Sequence, residues 1–203
     1  MGRMVGTAAQ AVVERVRRAG IARSRDLEAE GISRTQLARL VSDGLLMRVG
    51  RGLYAAPNGA TSAQQTVALV AARIPHGVIC LESALRIHGL TTAAPRRVWV
   101  AIQPKDWKPQ VRDLPIEIVR FSGEAFTAGV EHHEIDRVRV PVYSPAKTVA
   151  DCFKYRNKIG LDLAIEALRD CWEQRRCTAD ELMRFARIDR VANVMRPYME
   201  SLP

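Results

Sequence analysis

Lysine is scarce in this chain. Of 31 cationic residues among 203, only five are Lys, so the excess over 22 acids (a net +9, pI near 9.9) is carried by arginine. No apolar run approaches the roughly 18 residues of a membrane-spanning helix. Met1–Gly20 sets arginine among apolar positions and lacks a signal-peptide core. A soluble, cytoplasmic protein is expected. The four cysteines, Cys80, Cys152, Cys171 and Cys177, form no C-x-x-C and sit in apolar contexts, which predicts buried free thiols. Catalytic signatures are missing too: there is no G-x-S-x-G, phosphate-binding loop, H-E-x-x-H or recognisable Cys–His pair. A restriction-type nuclease needs an acid followed by acid-x-Lys on a strand, to hold a cation and orient water. "PIEIVR" offers Glu117 with no lysine two residues on. Ser83 and His88 share a short helix but lie five apart, on diverging faces. No enzyme and no cofactor are expected.

What is present is arginine, unevenly placed. Residues 1–60 hold ten Arg and five acids, a net of +5; the other 143 residues hold 21 cations and 17 acids, a net of +4. Charge per residue is over twofold higher at the N-terminal end. Arginine's planar fork of donors suits phosphates and guanine edges, which leans toward nucleic acid. Apolar residues at 47% and charged residues at 26% are those of a folded globular chain.

The N-terminal segment reads as three short helices and a hairpin. Ala8, Ala11, Val12, Val16 and Ala19 recur at helical spacing until Gly20. "SRDLEAEG" follows, with Ser24 as the expected N-cap and Gly31 as the stop. In "ISRTQLARLVSDG", Ser33 and Gln36 form a capping box, Leu37, Leu40 and Val41 make the buried stripe, and Gly44 ends the helix. Leu45–Val49 and Leu53–Ala56 then flank Gly50-Arg51-Gly52, whose glycines permit a tight turn. This is the order of a winged helix-turn-helix. Pro57-Asn58-Gly59 breaks the chain, and the expected division is residues 1–58 and 59–203.

The second segment mixes helices and strands. "TSAQQTVALVAARI" opens with an expected capping box of Thr61 and Gln64, and "LESALRIHGL" is a helix ended by Gly89. "RRVWVAI" and "LPIEIVRF" are strand-like around the polar loop 103–113, and "VEHHEIDRVRVPVY" is a hairpin turning at 135–137. Ser144-Pro145 opens a helix. Helices over 161–173, 178–187 (Thr178 with Glu181 as its box) and 191–199 close the chain. The fold class is therefore α+β: a winged helix-turn-helix, then a mixed α/β domain ending in helices.

The expected DNA-reading residues are Arg34, Thr35 and Gln36 at base edges, with Arg39 a turn later at a base or phosphate. Arg48 and Arg51 would grip the backbone or an adjacent minor groove. The same face could belong instead to a protein-binding module with a solvated arginine surface. "EHHE", Glu131 to Glu134, contains metal-ligand types. On a strand only Glu131 with His133, or His132 with Glu134, share a face. Neither pair reaches three ligands and no further donor is evident, so no metal is expected. Trp99 and Trp172 read as core. Trp107, in "QPKDWKPQ", is a contact candidate whose competing reading is half-buried packing.

"GLLMRVGRGLYAAP", "LESALRIHGLTTAAPRRVWVAI", "VPVYSPAKTVADCFKYRNKIGLDLAIEALRD" and "FARIDRVANVMRPYME", in that order, resemble the AbiEi-like antitoxins of type IV toxin–antitoxin systems. Arg48, Gly50, Arg51, Gly52 and Tyr54 carry the wing pattern. Leu81, Glu82, Ser83, Ala84, Gly89, Ser144, Pro145, Thr148 and Asp151 carry that of the second domain. The resemblance implies a repressor that binds inverted repeats in double-stranded operator DNA of its own operon, in a phage-defence setting. It also implies a C-terminal domain that counters a nucleotidyltransferase-type toxin, directly or indirectly. The resemblance implies no catalytic role for any of the matching residues. A repressor of an unrelated regulon, without a toxin partner, is the alternative.

Overall fold

The computed structural model describes residues 7–57, 62–109, 111 and 114–202. They form two compact units: Met1–Pro75 with Glu134–Val140, and His76–His133 with Pro141–Pro203.

The first unit begins with α1 (Thr7–Ala19), β1 (Ile21–Arg23), α2 (Ser24–Ala29) and α3 (Arg34–Ser42). It continues through β2 (Met47–Gly50), β3 (Leu53–Ala55) and α4 (Ala63–Arg73). β3 lies between β1 and β2, antiparallel to both. Val16, Leu27, Leu37, Leu40 and Leu46 bring α1, α2, α3 and the start of the hairpin onto one core. Two expectations at element starts are corrected. Ser24 is the first helical residue of α2 rather than its cap, because its N–H is bound by the Gly52 carbonyl at 2.8 Å and Arg23 stays extended in β1. The box that opens α4 is Ser62 with Gln65, one residue beyond the expected pair. That register turns Val67, Leu69 and Val70 inward. Thr61, like Asn58 and Gly59 of the expected break, lies outside the described residues.

The compact unit continues past residue 58 because α4 packs back onto the ribbon. A Cβ on Gly50 would meet the Ala72 carbonyl at 3.4 Å and Leu53 at 3.2 Å, so a side chain there would press against the helix. Residues 134–140 join this unit from far along the chain. Arg137 donates to Asp26 at 3.2 Å, and the Arg23 guanidinium donates to the Arg137 carbonyl.

The second unit holds β4 (Val78–Ile79), α5 (Leu81–His88), β5 (Val98–Ile102), β6 (Ile116–Arg120) and α6 (Glu124–Thr127). The hairpin of β7 (Val130–Ile135) and β8 (Val138–Tyr143) follows, turning through Asp136 and Arg137, both at positive φ. Five helices end the chain: α7 (Pro145–Lys154), α8 (Arg156–Ile159), α9 (Leu161–Glu173), α10 (Ala179–Ile188) and α11 (Ala192–Glu200). The sheet order is β6-β5-β4-β8-β7. β5 runs parallel to β6 and antiparallel to β4, and β4 runs parallel to β8. All five residues of β5 are buried, as a strand covered on both faces requires. All four cysteines are free and buried. None of the described helices is long and apolar enough to cross a membrane.

One ammonium group organises this unit. Lys147, on α7, is fully buried. It donates to Asp151 one turn on and to Asp189 at 3.1 Å, with Nζ 4.8 Å and 4.7 Å from the ring centroids of Phe121 and Tyr143. Burial pushes the Asp151 carboxyl upward, while the charge of Lys147 opposes that shift. Removing the cation alone would leave two carboxyl groups buried without it. Breaking a buried pair in this way typically costs about 3–5 kcal/mol. Lys147→Met should therefore lower the urea-unfolding free energy of the full chain by about that amount. A change within about 0.5 kcal/mol, the usual range for a surface substitution, would contradict the assignment.

Candidate nucleic-acid interface

The interface candidate is built on α3 and the β2–β3 turn. α3 starts where Ser33, in extended conformation, takes the Gln36 N–H onto its hydroxyl at 3.2 Å. The Gln36 carboxamide oxygen accepts the Ser33 N–H at 2.8 Å. This box satisfies two of the amides a helix start leaves unpaired. Helical spacing then buries Leu37 and Leu40 and exposes Arg34, Thr35, Gln36, Ala38, Arg39 and Ser42. Asp43 and Gly44 end the helix, with the Gly44 N–H donating to the Val41 carbonyl.

The six expected contact residues are all exposed, but they are held differently. Arg34 donates from Nε to Glu28 at 2.8 Å, so its guanidinium is drawn toward α2. That hydrogen bond raises its pKa further, leaving it a fixed cation. Arg39 sits 3.8 Å from Asp43, one turn along. Gln36 has its oxygen committed to the capping box and keeps its amide nitrogen as a free donor. The side chains of Thr35, Arg48 and Arg51 have no hydrogen-bond or ion-pair partner among the described residues. Arg48 stands opposite Tyr54 on the ribbon, and the register slips by a residue between Arg48 and Gly50. The turn closes at Arg51-Gly52, where Gly52 takes φ +68°, a conformation that side chains resist.

A phosphate can thus be met by Arg48 and Arg51 without breaking an internal contact. Arg34 and Arg39 must exchange a carboxylate for the ligand. Both ion pairs are solvent-exposed, so the exchange is easy. Sequence reading missed Arg137, which enters this unit from a distant hairpin and is anchored on Asp26. Its only local signal was the tight Asp136-Arg137 turn.

Other candidates from the sequence are resolved in the second unit. Glu117 lies between Lys158 at 2.9 Å and Arg97 at 3.2 Å; the Lys158 hydrogen bond holds its carboxyl below the usual range. Trp107 is 93% exposed, so half-buried packing does not describe it. The "EHHE" strand gains what the sequence did not supply. His88, ending α5, joins Glu131 and His133, and one donor atom from each lies within 4.8 Å of the others. His88 is 4% exposed, and burial holds its pKa down. Its Nε2 is 2.7 Å from the Tyr143 carbonyl, while Nδ1 is buried with no partner. A buried polar atom left so costs about 1–3 kcal/mol.

Comparison with known proteins bears on the first unit most directly. Residues 10–57 match the family described as "Transcriptional regulator, AbiEi antitoxin", the family that the sequence resembles. This segment contains α3 and the ribbon. The crystal structure of the RV2827C protein from Mycobacterium tuberculosis superposes with a TM-score of 0.57 at 18% identity, covering 91% of this chain and 72% of that one. That likeness is one of fold. No protein of curated function matches.

Proposed function

We propose that this chain, whose residues 10–57 match the AbiEi antitoxin transcriptional regulators, represses its own toxin–antitoxin operon by binding inverted repeats in the operator. The observation that carries the reading is the pairing, within that segment, of an exposed arginine-bearing helix with the exposed Arg48 and Arg51, whose side chains have no partner among the described residues. In this reading α1, α2, α3 and the ribbon are a winged helix-turn-helix. α3 enters the major groove by its N-terminal turn, where Arg34, Thr35 and the free amide of Gln36 meet base edges. Arg39 reaches a base or phosphate one turn on. Arg48 and Arg51 hold backbone phosphate, fixing register without reading sequence. Chemistry has no part in this function. The second unit would counter a nucleotidyltransferase-type toxin, by contact or indirectly.

The ion pairs of Arg34 with Glu28 and Arg39 with Asp43 favour a second reading, in which α3 is a solvated face of a protein-interaction module. A salt titration of operator binding by fluorescence anisotropy separates the two. Arg48→Ala and Arg51→Ala, each removing one phosphate neutralisation, should each reduce the slope of log K against log salt by about 0.9. Arg34→Ala should cost roughly 1–3 kcal/mol on the operator and much less on unrelated duplex, because it removes a base reader. Unchanged slopes in both wing variants would remove the wing from the interface. Absence of any operator preference would favour the interaction module.

The division of labour is tested in cells. Arg34→Ala with Arg51→Ala should derepress a promoter fusion while the protein still rescues growth from the neighbouring toxin. Rescue that fails together with repression, at matched protein levels, would mean that neutralisation runs through the DNA-binding face.

A further inference from the structure

The His88, Glu131 and His133 cluster belongs to the second unit, and the repressor reading makes no use of it. Its parts come from two elements. Glu131 and His133 are two apart on β7 and share a face, with the carboxylate 3.5 Å from His133 Nε2. His88 comes from the end of α5, 43 positions earlier in the chain than Glu131, and its ring meets that of His133 edge to face, centroids 5.4 Å apart. The proton of His88 can be assigned. Its Nε2 faces a carbonyl, which only accepts, so Nε2 carries the hydrogen and donates to Tyr143. In the neutral ring Nδ1 then bears a lone pair, and it is this atom that the protein leaves buried and unpartnered.

We propose that His88, Glu131 and His133 bind a divalent cation of the zinc class, with His88 Nδ1 as the fixed ligand. Two imidazoles and one carboxylate suit a borderline cation such as zinc better than magnesium or calcium, which prefer oxygen. Metal-bound histidines commonly donate their other ring N–H to a carbonyl, which orients the ring; Tyr143 already supplies that acceptor. Tetrahedral ligation at zinc–nitrogen distances near 2.0–2.1 Å places ligand atoms about 3.4 Å apart. The present spacing, within 4.8 Å, closes by rotation of Glu131 and His133, whose side chains are 49% and 33% exposed. Bound metal would tie the end of α5 to β7 and leave a fourth position for water or an outside ligand.

The test uses the untagged full-length chain, stripped with chelator and titrated by calorimetry with zinc chloride and, separately, magnesium chloride. One saturable zinc site per chain is expected, with no magnesium binding. Cobalt substitution should give visible bands of nitrogen and oxygen ligation without thiolate charge transfer. His133→Ala and Glu131→Gln, both at accessible positions, should each weaken zinc by at least about tenfold. His132→Ala, on the other face of the strand, should leave it unchanged. Absence of stoichiometric zinc binding, a thiolate signature, or affinity unmoved in both His133→Ala and Glu131→Gln would overturn the site. None of these readouts involves DNA, so the repressor reading can fail or stand independently.

Discussion

The larger unit is organised around a charge with no water to solvate it. An ammonium taken out of solvent is tolerated only when carboxylates and oriented π-faces replace its former hydration. Lys147 obtains both, from Asp151, Asp189, Phe121 and Tyr143. Lys154 adds a second cation 3.7 Å from Asp189, so two positive and two negative groups meet. These residues come from the ends of β6 and β8, from α7 and from the turn after α10, so the charge cluster joins sheet and helices at one point. The residues around it follow from the same constraint. Ser144 caps the Lys147 N–H, Thr148 donates to the Tyr143 carbonyl, and the Tyr143 hydroxyl donates to the Phe126 carbonyl. The Ser-Pro-x-Lys-Thr-x-x-Asp pattern thus supplies the helix cap, the buried cation and one of its carboxyl partners.

The first unit is stabilised differently. Its core is small and aliphatic, and α3 and α4 each open on a capping box. The Ser33–Gln36 box determines where α3 starts, and hence which residues occupy its first exposed turn. The same box commits the Gln36 oxygen. Gln36, read from sequence both as the box partner and as a base reader, therefore has only its amide nitrogen left for the second task. Free reach lies instead with Thr35 and the ribbon cations Arg48 and Arg51, whose neighbours include no carboxylate partner among the described residues.

Much of this was legible because it is local. The span of α1, the α3 box, the Ser144-Pro145 helix start and the Thr178–Glu181 box are written in spacings of three and four residues. Features decided by pairing across the chain were not legible. β1 has three residues and β4 two, too few for a period, and each exists because a partner strand accepts it. "TSAQQ" contains two overlapping boxes of equal merit, and only packing of α4 selects Ser62 with Gln65. His88 reads in sequence as the last residue of an ordinary helix. Its approach to Glu131 and His133 depends on how α5 and β7 are placed in the fold, which no local pattern states. Arg137 joins the first unit for a comparable non-local reason.

The central claim is that the first turn of α3 and the arginine ribbon form the DNA face. Amide hydrogen exchange of the full chain, with and without its own promoter duplex, measures this most directly. Amides in the first turn of a helix lack intrahelical acceptors and exchange readily until a ligand covers them. The account predicts new protection on adding the duplex at residues 34 and 35, the first-turn amides that the capping box leaves unpaired, and at 48–53. Protection that instead falls in the second unit, or an exchange pattern unchanged at saturating DNA, would contradict it.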